Sequence, residues 1–419
     1  MFKKGKSMNY VENILAASSS RKSVSAGDYI EARCDVVLMN DVTGPLAVKE
    51  FLKRGKKVKN PDAVVIVCDH FTPNKDIKSA ENVKFLRDFA RKHKIKFFEI
   101  GDGGVEHVIL PEKGIVKPGD VVIGADSHTC TYGAIGAFST GVGSTDAAFA
   151  MLTGKIWFKV PEVMDFVYTG KKGKFITGKD LILLTIGKIG VNGANYKAMK
   201  FSGPVISSLS MDERFTMCNM AIEAGGKAGF VVPDKKTSEY VEGRPGRKAR
   251  VFKDGASSEI IPMDISAVKP LVAAPHLPDK VQAAEKMNHV KIDQAVIGSC
   301  TNGRLSDFAA AAKIMKGKKV SAGLRCIILP GSQNVYAQAL KAGYIETFLK
   351  AGCVIAPPTC GPCLGGHMGI LAGGETAIST TNRNFVGRMG AVTSKVYLSS
   401  PYTAAASALK GRIISPEQL

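Results

Sequence analysis

Four segments share one design: a short apolar run rich in β-branched residues, followed at once by a loop dense in reactive side chains. They are Val64-Val65-Ile66-Val67 into Cys68-Asp69-His70, and Val121-Val122-Ile123 into Asp126-Ser127-His128. The other two are Ala295-Val296-Ile297 into Ser299-Cys300-Thr301-Asn302, and Val354-Ile355-Ala356 into Cys360. Continuous apolar runs suit strands buried on both faces, as in parallel sheets covered by helices. In such folds ligands collect at the carboxyl ends of the strands. Helical patterns at Ser79 to Lys92, Ser144 to Leu152 and Ser306 to Met315 complete an α/β reading.

A chain of 419 residues is too long for one ordinary core. Three domains are expected, over residues 1–160, 161–283 and 284–419. In the middle part, Thr177-x-x-Asp180 and Ser210-x-x-Glu213 read as capping boxes. The second opens a helix expected to carry Asn219 and Glu223 on one face and to stop at Gly225-Gly226. Gly243 to Arg247, then Pro270, Pro275 and Pro278, read as a linker. Near the N-terminus two readings stand side by side, a helix from Tyr10 to Ala17 and a transit peptide suggested by the serine-rich, basic stretch Ser18 to Ser25. The first ten residues are basic and lack the apolar core of a secretory signal. No apolar run approaches a membrane span, and a cytoplasmic location is expected.

Cys360 and Cys363 form a Cys-x-x-Cys pair, and Cys300 lies upstream in G-S-C-T-N-G-R. Alone, such a pair is equally half a zinc site, a redox pair or coincidence. Zinc would call for a second Cys-x-x-Cys or a spaced His pair, and neither appears. A thioredoxin-like pair should open a helix, whereas Pro362 and glycines surround this one. Three thiolates on two strand ends are what a cubane iron–sulfur cluster needs if one iron is to stay free of protein. Of the nine cysteines, Cys34, Cys68, Cys218, Cys326 and Cys353 sit in settings of buried free thiols.

Asp69-His70 and Asp126-Ser127-His128 set carboxylates beside imidazoles, and His107 is a third such histidine. His93, His276 and His289 lack comparable settings, while His367 lies close to the cysteines. Arg383 and Arg388, in N-R-N-F-V-G-R, offer guanidiniums for carboxylate recognition. The net charge of +20 comes from dispersed lysines without interleaved aromatics, so a nucleic-acid surface is not expected. Positive potential would help gather a small polyanionic substrate or an acidic partner. Gly141-Val142-Gly143 lacks the third glycine of a dinucleotide-binding turn.

Six motifs occur in order: C-D-H at 68–70, G-A-D-S-H-T at 124–129, C-N-M-A-I-E at 218–223, G-S-C-T-N-G-R at 298–304, C-G-P-C at 360–363 and N-R-N-F-V-G-R at 382–388. With them the chain resembles the aconitase superfamily, in its two-subunit isopropylmalate and homoaconitate branch. The resemblance implies three α/β/α domains around one [4Fe-4S] cluster held by Cys300, Cys360 and Cys363. It implies the pairs Asp69–His70, Asp126–His107 and Glu223–His128, with His70 the acid that assists departure of a hydroxyl. Asn40, Ser127, Asn219, Asn382, Arg383 and Arg388 match positions that contact substrate or cluster. Asn40-Asp41 stands where aconitases carry a glutamine, which counts against citrate. The fourth, swivelling domain of single-chain aconitases is not present in this sequence, so a small subunit carrying it is the expected partner. The activity implied is dehydration and rehydration of 2-isopropylmalate to 3-isopropylmalate through isopropylmaleate, in leucine biosynthesis. The alternative is another 2-hydroxy-dicarboxylate hydro-lyase of this branch, acting on homoaconitate, a methylated malate or citraconate.

Overall fold

The computed structural model describes residues 7–419, and most of the basic N-terminal stretch lies outside them. The apolar runs form strands for the reason their composition gives. Val64–Val67, Val121–Gly124 and Gln294–Gly298 are buried at every position. Val354–Ile355 differs. It is an edge strand, with Val354 64% exposed, because no further strand covers it.

The first sheet has five parallel strands in the order Lys96–Phe98, Val64–Val67, Val36–Asn40, Val121–Gly124, Phe138–Gly141. The chain starts in the middle, winds to one edge, then returns and winds to the other. This places the topological switch point between Val36–Asn40 and Val121–Gly124. Helices at Ile77–His93 and Ser144–Thr153 agree with the sequence pattern to within a turn. The N-terminal helix is Tyr10–Ser18, and Tyr10 stacks on Phe230.

The second sheet is parallel, in the order Ala228–Phe230, Ala198–Ser202, Val163–Thr169, Glu259–Asp264. Both capping boxes form, at Thr177 and at Ser210. The expected single helix through Asn219 and Glu223 does not. The α-helix Met211–Asn219 ends on Asn219, and Met220–Ala224 tightens to a 3-10 turn before Gly225 turns left-handed at φ 81°. That change of pitch takes Asn219 and Glu223 off a common helical face.

The third sheet has seven strands. Five are parallel, in the order Lys395–Ser399, Thr376–Ser379, Gln294–Gly298, Arg325–Leu329, Val354–Ile355. A second switch point thus falls between Gln294–Gly298 and Thr376–Ser379. Leu271–Ala273 and Val281–Ala283 extend this sheet with antiparallel pairing. The proline-rich stretch expected as linker is therefore mostly built into the sheet. The Gly243–Arg247 turn is also anchored, with Arg247 Nη2 donating to Asp120 Oδ2 at 2.6 Å. One buried cluster joins Leu38 and Val65 of the first sheet, Phe166 and Phe201 of the second and Val296 and Leu329 of the third. That common interior joins the three sheets.

Candidate active site

The loop Cys68–Phe71 follows the strand Val64–Val67 and is held from the neighbouring strand end. Asp41 Oδ1 accepts from the backbone N–H groups of Asp69 (3.0 Å) and His70 (2.9 Å), and its Oδ2 accepts from Phe71 (2.7 Å). This fixes the loop so that Asp69 Oδ1 lies 2.6 Å from His70 Nδ1. Burial alone would lower the His70 pKa, but Asp69, aided by Asp41 and Glu106, outweighs it and holds it well above the ordinary imidazole value. The pairing thus favours the protonated imidazole of His70.

A second and third pair sit across the switch point. Asp126 caps the turn Ser127–Ile135 and lies 3.0 Å from His107 Nε2 through Oδ1. Its burial is opposed by hydrogen bonds with His107 and His128, which hold its carboxyl well below the usual range. His128 Nε2 lies 2.8 Å from Glu223 Oε1, and Arg383 Nε donates to that same oxygen at 2.7 Å. Burial and Arg383 push the His128 pKa down, yet Asp126 and Glu223 leave it raised.

The thiols arrive from the third sheet. Gly298 and Ser299 take positive φ (135° and 67°), turning the chain sharply at the end of Gln294–Gly298. A Cβ on Gly298 would come 2.0 Å from the Leu329 carbonyl oxygen, so only glycine fits. Ser299 Oγ donates to the Cys360 carbonyl at 2.9 Å and ties the two cysteine loops together. Asn382 spans two of the sulfurs, with Nδ2 3.1 Å from Cys300 Sγ and Oδ1 3.4 Å from Cys363 Sγ. Hydrogen bonds with the Cys300 and Cys360 thiols, and then the Arg388 charge, hold Cys363 well below the usual thiol range against the effect of burial. Behind them Lys179, fully buried, donates to the carbonyls of Thr380 (2.7 Å) and Thr381 (2.6 Å) and to Asn302 Oδ1 (3.3 Å).

Asp69, His70, His107, Asp126, His128, Cys300, Cys360, Cys363 and Arg388 all line one cavity of about 20 Å³, together with Val105 and Glu106. Glu223 and Asn382 stand directly behind it, bonded to His128 and to the Cys300 and Cys363 sulfurs of its lining, and Arg383 and Asn219 stand one step further out, Arg383 donating to Glu223 and Asn219 accepting from Asn382. Asn40 is also behind it, donating to Glu106 Oε1 at 3.2 Å. Ser127 is half-buried at the start of its turn, and its hydroxyl makes no hydrogen bond among the described residues. Surface clefts of about 810 Å³ beside Arg33 and 900 Å³ beside Lys316 are far larger, but no imidazole lines either, so size does not locate the chemistry. Glu106 and Lys179 line or back the site and escaped the sequence reading, which named Asp41 only for its position beside Asn40 and not for the loop it holds. Only Glu106 had a local signal, as a carboxylate next to His107.

The residues suit an iron–sulfur cluster on chemical grounds. Three buried cysteines converge, Asn382 and Arg388 lie against their sulfurs, and buried atoms around them have no partner among the described residues: Glu106 Oε2, Glu223 Oε2 and Arg388 Nε. Buried polar atoms are normally satisfied, so orphans grouped at one cavity mark a place for a polar ligand.

The family model "Aconitase family (aconitate hydratase)" matches residues 12–285 and 280–411. The chain is 60% identical over 417 residues to the 3-isopropylmalate dehydratase large subunit of Thermodesulfovibrio yellowstonii, covering 98% of this chain and 99% of that one. It is 59% identical over 420 residues to large subunit 1 of that enzyme from Pyrococcus furiosus, with coverage of 98% and 99%. Among solved structures, holo aconitase X of Thermococcus kodakaraensis superposes with a TM-score of 0.54 at 15% identity, over 95% of this chain and 94% of that one, a likeness of fold alone. Sheets wound around two switch points, the site between them and these matches lead to one conclusion: the chain belongs to the aconitase family.

Proposed function

We propose that this chain is the large subunit of a 3-isopropylmalate dehydratase, interconverting 2-isopropylmalate and 3-isopropylmalate through isopropylmaleate in leucine biosynthesis. The observation that carries the reading is the convergence of three buried cysteines on one cavity with three carboxylate–imidazole pairs, the third reaching it through His128. It is supported by relatives of that name near 60% identity over almost the whole chain.

Cys300, Cys360 and Cys363 would hold a [4Fe-4S] cluster, and three ligands on four irons leave one iron to act as a Lewis acid toward hydroxyl and carboxylate. His70, kept protonated by Asp69, donates from Nε2 to the departing hydroxyl oxygen, a contribution of roughly 10²- to 10⁴-fold. Returning that proton path in reverse rehydrates the double bond. Arg383 and Arg388 hold a carboxylate, Arg383 being aimed by Glu223 and Arg388 lying 3.7 Å from Cys363 Sγ. Holding the acid group fixed while water leaves one carbon and joins its neighbour is orientation catalysis. The base that takes the carbon-bound proton is assigned to a small subunit with the swivelling domain, so the lone chain is incomplete. Domain limits near residues 160 and 283 belong to the same proposal, the strands Leu271–Ala273 and Val281–Ala283 reaching across the second limit into the third sheet.

The test is anaerobic reconstitution of the chain with iron and sulfide, with and without the small subunit. Cluster absorbance is expected from the chain alone and turnover of 2-isopropylmalate only from the pair. Cys300→Ser, Cys360→Ser or Cys363→Ser should abolish both. Full turnover without the partner, or by any of these variants, contradicts the proposal.

A further inference from the structure

Glu106 is the carboxyl in the cavity that has no imidazole of its own. Asp69, Asp126 and Glu223 each lie within 3.0 Å of a histidine nitrogen. Glu106 Oε1 stands 3.5 Å from His107 Nε2, a nitrogen whose closer partner is Asp126. One N–H serves one carboxylate, and Asp126 has it. Glu106 is 0% exposed, accepts only from Asn40 Nδ2 and leaves Oε2 without a partner among the described residues. Its backbone cannot withdraw it: the N–H donates to Asp69 Oδ2 at 2.8 Å, and the carbonyl accepts from Tyr132 OH at 3.1 Å.

We propose that Glu106 is a further substrate-binding residue, whose side chain presents an uncharged carboxylic O–H from Oε2 to a carboxylate oxygen of the bound dicarboxylate. The inference rests on the functional reading above. A charged Glu106 would face Asp69 and Asp126 across the cavity and would repel a dianionic substrate, whereas a neutral acid donates to one. The groups packed around it bear on that state: His107, whose Nε2 is 3.5 Å away, Asp69 and His70 on their loop, Asn40 on the central strand, Asp126 and Tyr132 on the following turn, and Arg304, whose Nη2 donates to the His107 carbonyl at 3.0 Å. Burial first, then Asp69 and Asp126, push its carboxyl well above the usual range, against His70 and Asn40. Both effects favour the neutral acid over the carboxylate, as the fully buried Oε2, unpartnered among the described residues, also requires.

The experiment uses the cluster-loaded two-subunit enzyme with Glu106→Gln and Glu106→Leu. Glutamine keeps a neutral donor of the same length, so its KM should rise clearly less than in the leucine variant and its pH profile should superpose on that of wild type. Leucine removes the donor, so KM for 2-isopropylmalate should rise about tenfold, the scale of one lost hydrogen bond, with cluster absorbance per chain unchanged. Wild-type KM in Glu106→Leu overturns the proposal. So does a glutamine variant as impaired as leucine, or one with a shifted pH profile, since either means the charge is needed. The glutamine arm decides the matter if the leucine variant does not fold. Calorimetric binding of malate to the same proteins reads Glu106 independently of turnover. A wild-type pair inactive on 2-isopropylmalate refutes the functional reading alone.

Discussion

Asp41 is the residue on which the acid loop depends, and replacing it should disable catalysis without touching a group that meets substrate. Its two oxygens collect three backbone N–H donors from consecutive residues, at 2.7–3.0 Å. Hydrogen bonds to a charged group contribute roughly 1.5–3 kcal/mol each, so Asp41→Ala forfeits about 4.5–9 kcal/mol of gross local stabilisation, part of which entering water returns. The loop has few other ties. Asp69 accepts from Cys360 N (2.8 Å) and Thr359 Oγ1 (2.7 Å) through its carbonyl, so a loosened loop also slackens the cysteine loop. His70 then loses its alignment, and a general acid is worth roughly 10²- to 10⁴-fold. Steady-state assay of the assembled enzyme, following the ultraviolet absorbance of the unsaturated intermediate, should show kcat reduced at least about 100-fold in Asp41→Ala, with some loss of cluster absorbance. Asp41→Asn is the sharper probe. It keeps the acceptor at Oδ1 but turns an N–H toward the Phe71 N–H, at a cost of roughly 2–4 kcal/mol from one lost bond and one donor–donor contact. Its kcat should fall between the other two. An Asp41→Ala enzyme within threefold of wild-type kcat would show that the loop holds itself and that the reasoning is wrong.

Two further outcomes are expected from the same geometry. In Asp69→Asn the neighbour that most raises the His70 pKa is gone, so the alkaline limb of the kcat profile should move to lower pH as His70 loses its proton earlier; an unmoved limb would detach His70 from the acid role. Lys179, whose pKa burial pushes down to about 7, binds its proton more readily in the unfolded chain. That burial penalty is fully present below pH 7 and is relieved as pH rises toward the unfolded value. The stability of wild type relative to Lys179→Met, from urea denaturation, should therefore grow between about pH 7 and 9 by up to roughly 1.4 kcal/mol per pH unit, and a constant difference would refute it.

Much of this molecule was legible in its residues because the relevant physics is local. A run such as Val64–Val67 can be stable only with both faces covered, and the residues just beyond it must leave the sheet at a carboxyl end. On that ground alone Asp69, His70, Asp126, His128 and Cys300 belong on strand ends. Capping boxes are likewise written within four residues, and both formed. What lay beyond local reach involved partners with no neighbourhood in sequence. Only the family resemblance, and nothing local, pairs His128 with Glu223, 95 residues away, and nothing in the sequence pairs Lys179 with Thr380, 201 away. The helix break at Asn219, the edge position of Val354 and the absorption of the proline-rich stretch into the third sheet each depend on what packs alongside. Asp41 shows the division most plainly: by sequence it is one aspartate after a strand, and only when two strand ends lie side by side does its carboxylate face three unpaired N–H groups. Local pattern decides which side chains reach the end of a strand; the packing of sheet against sheet decides which of them meet, because burial energy acts across space and not along the chain.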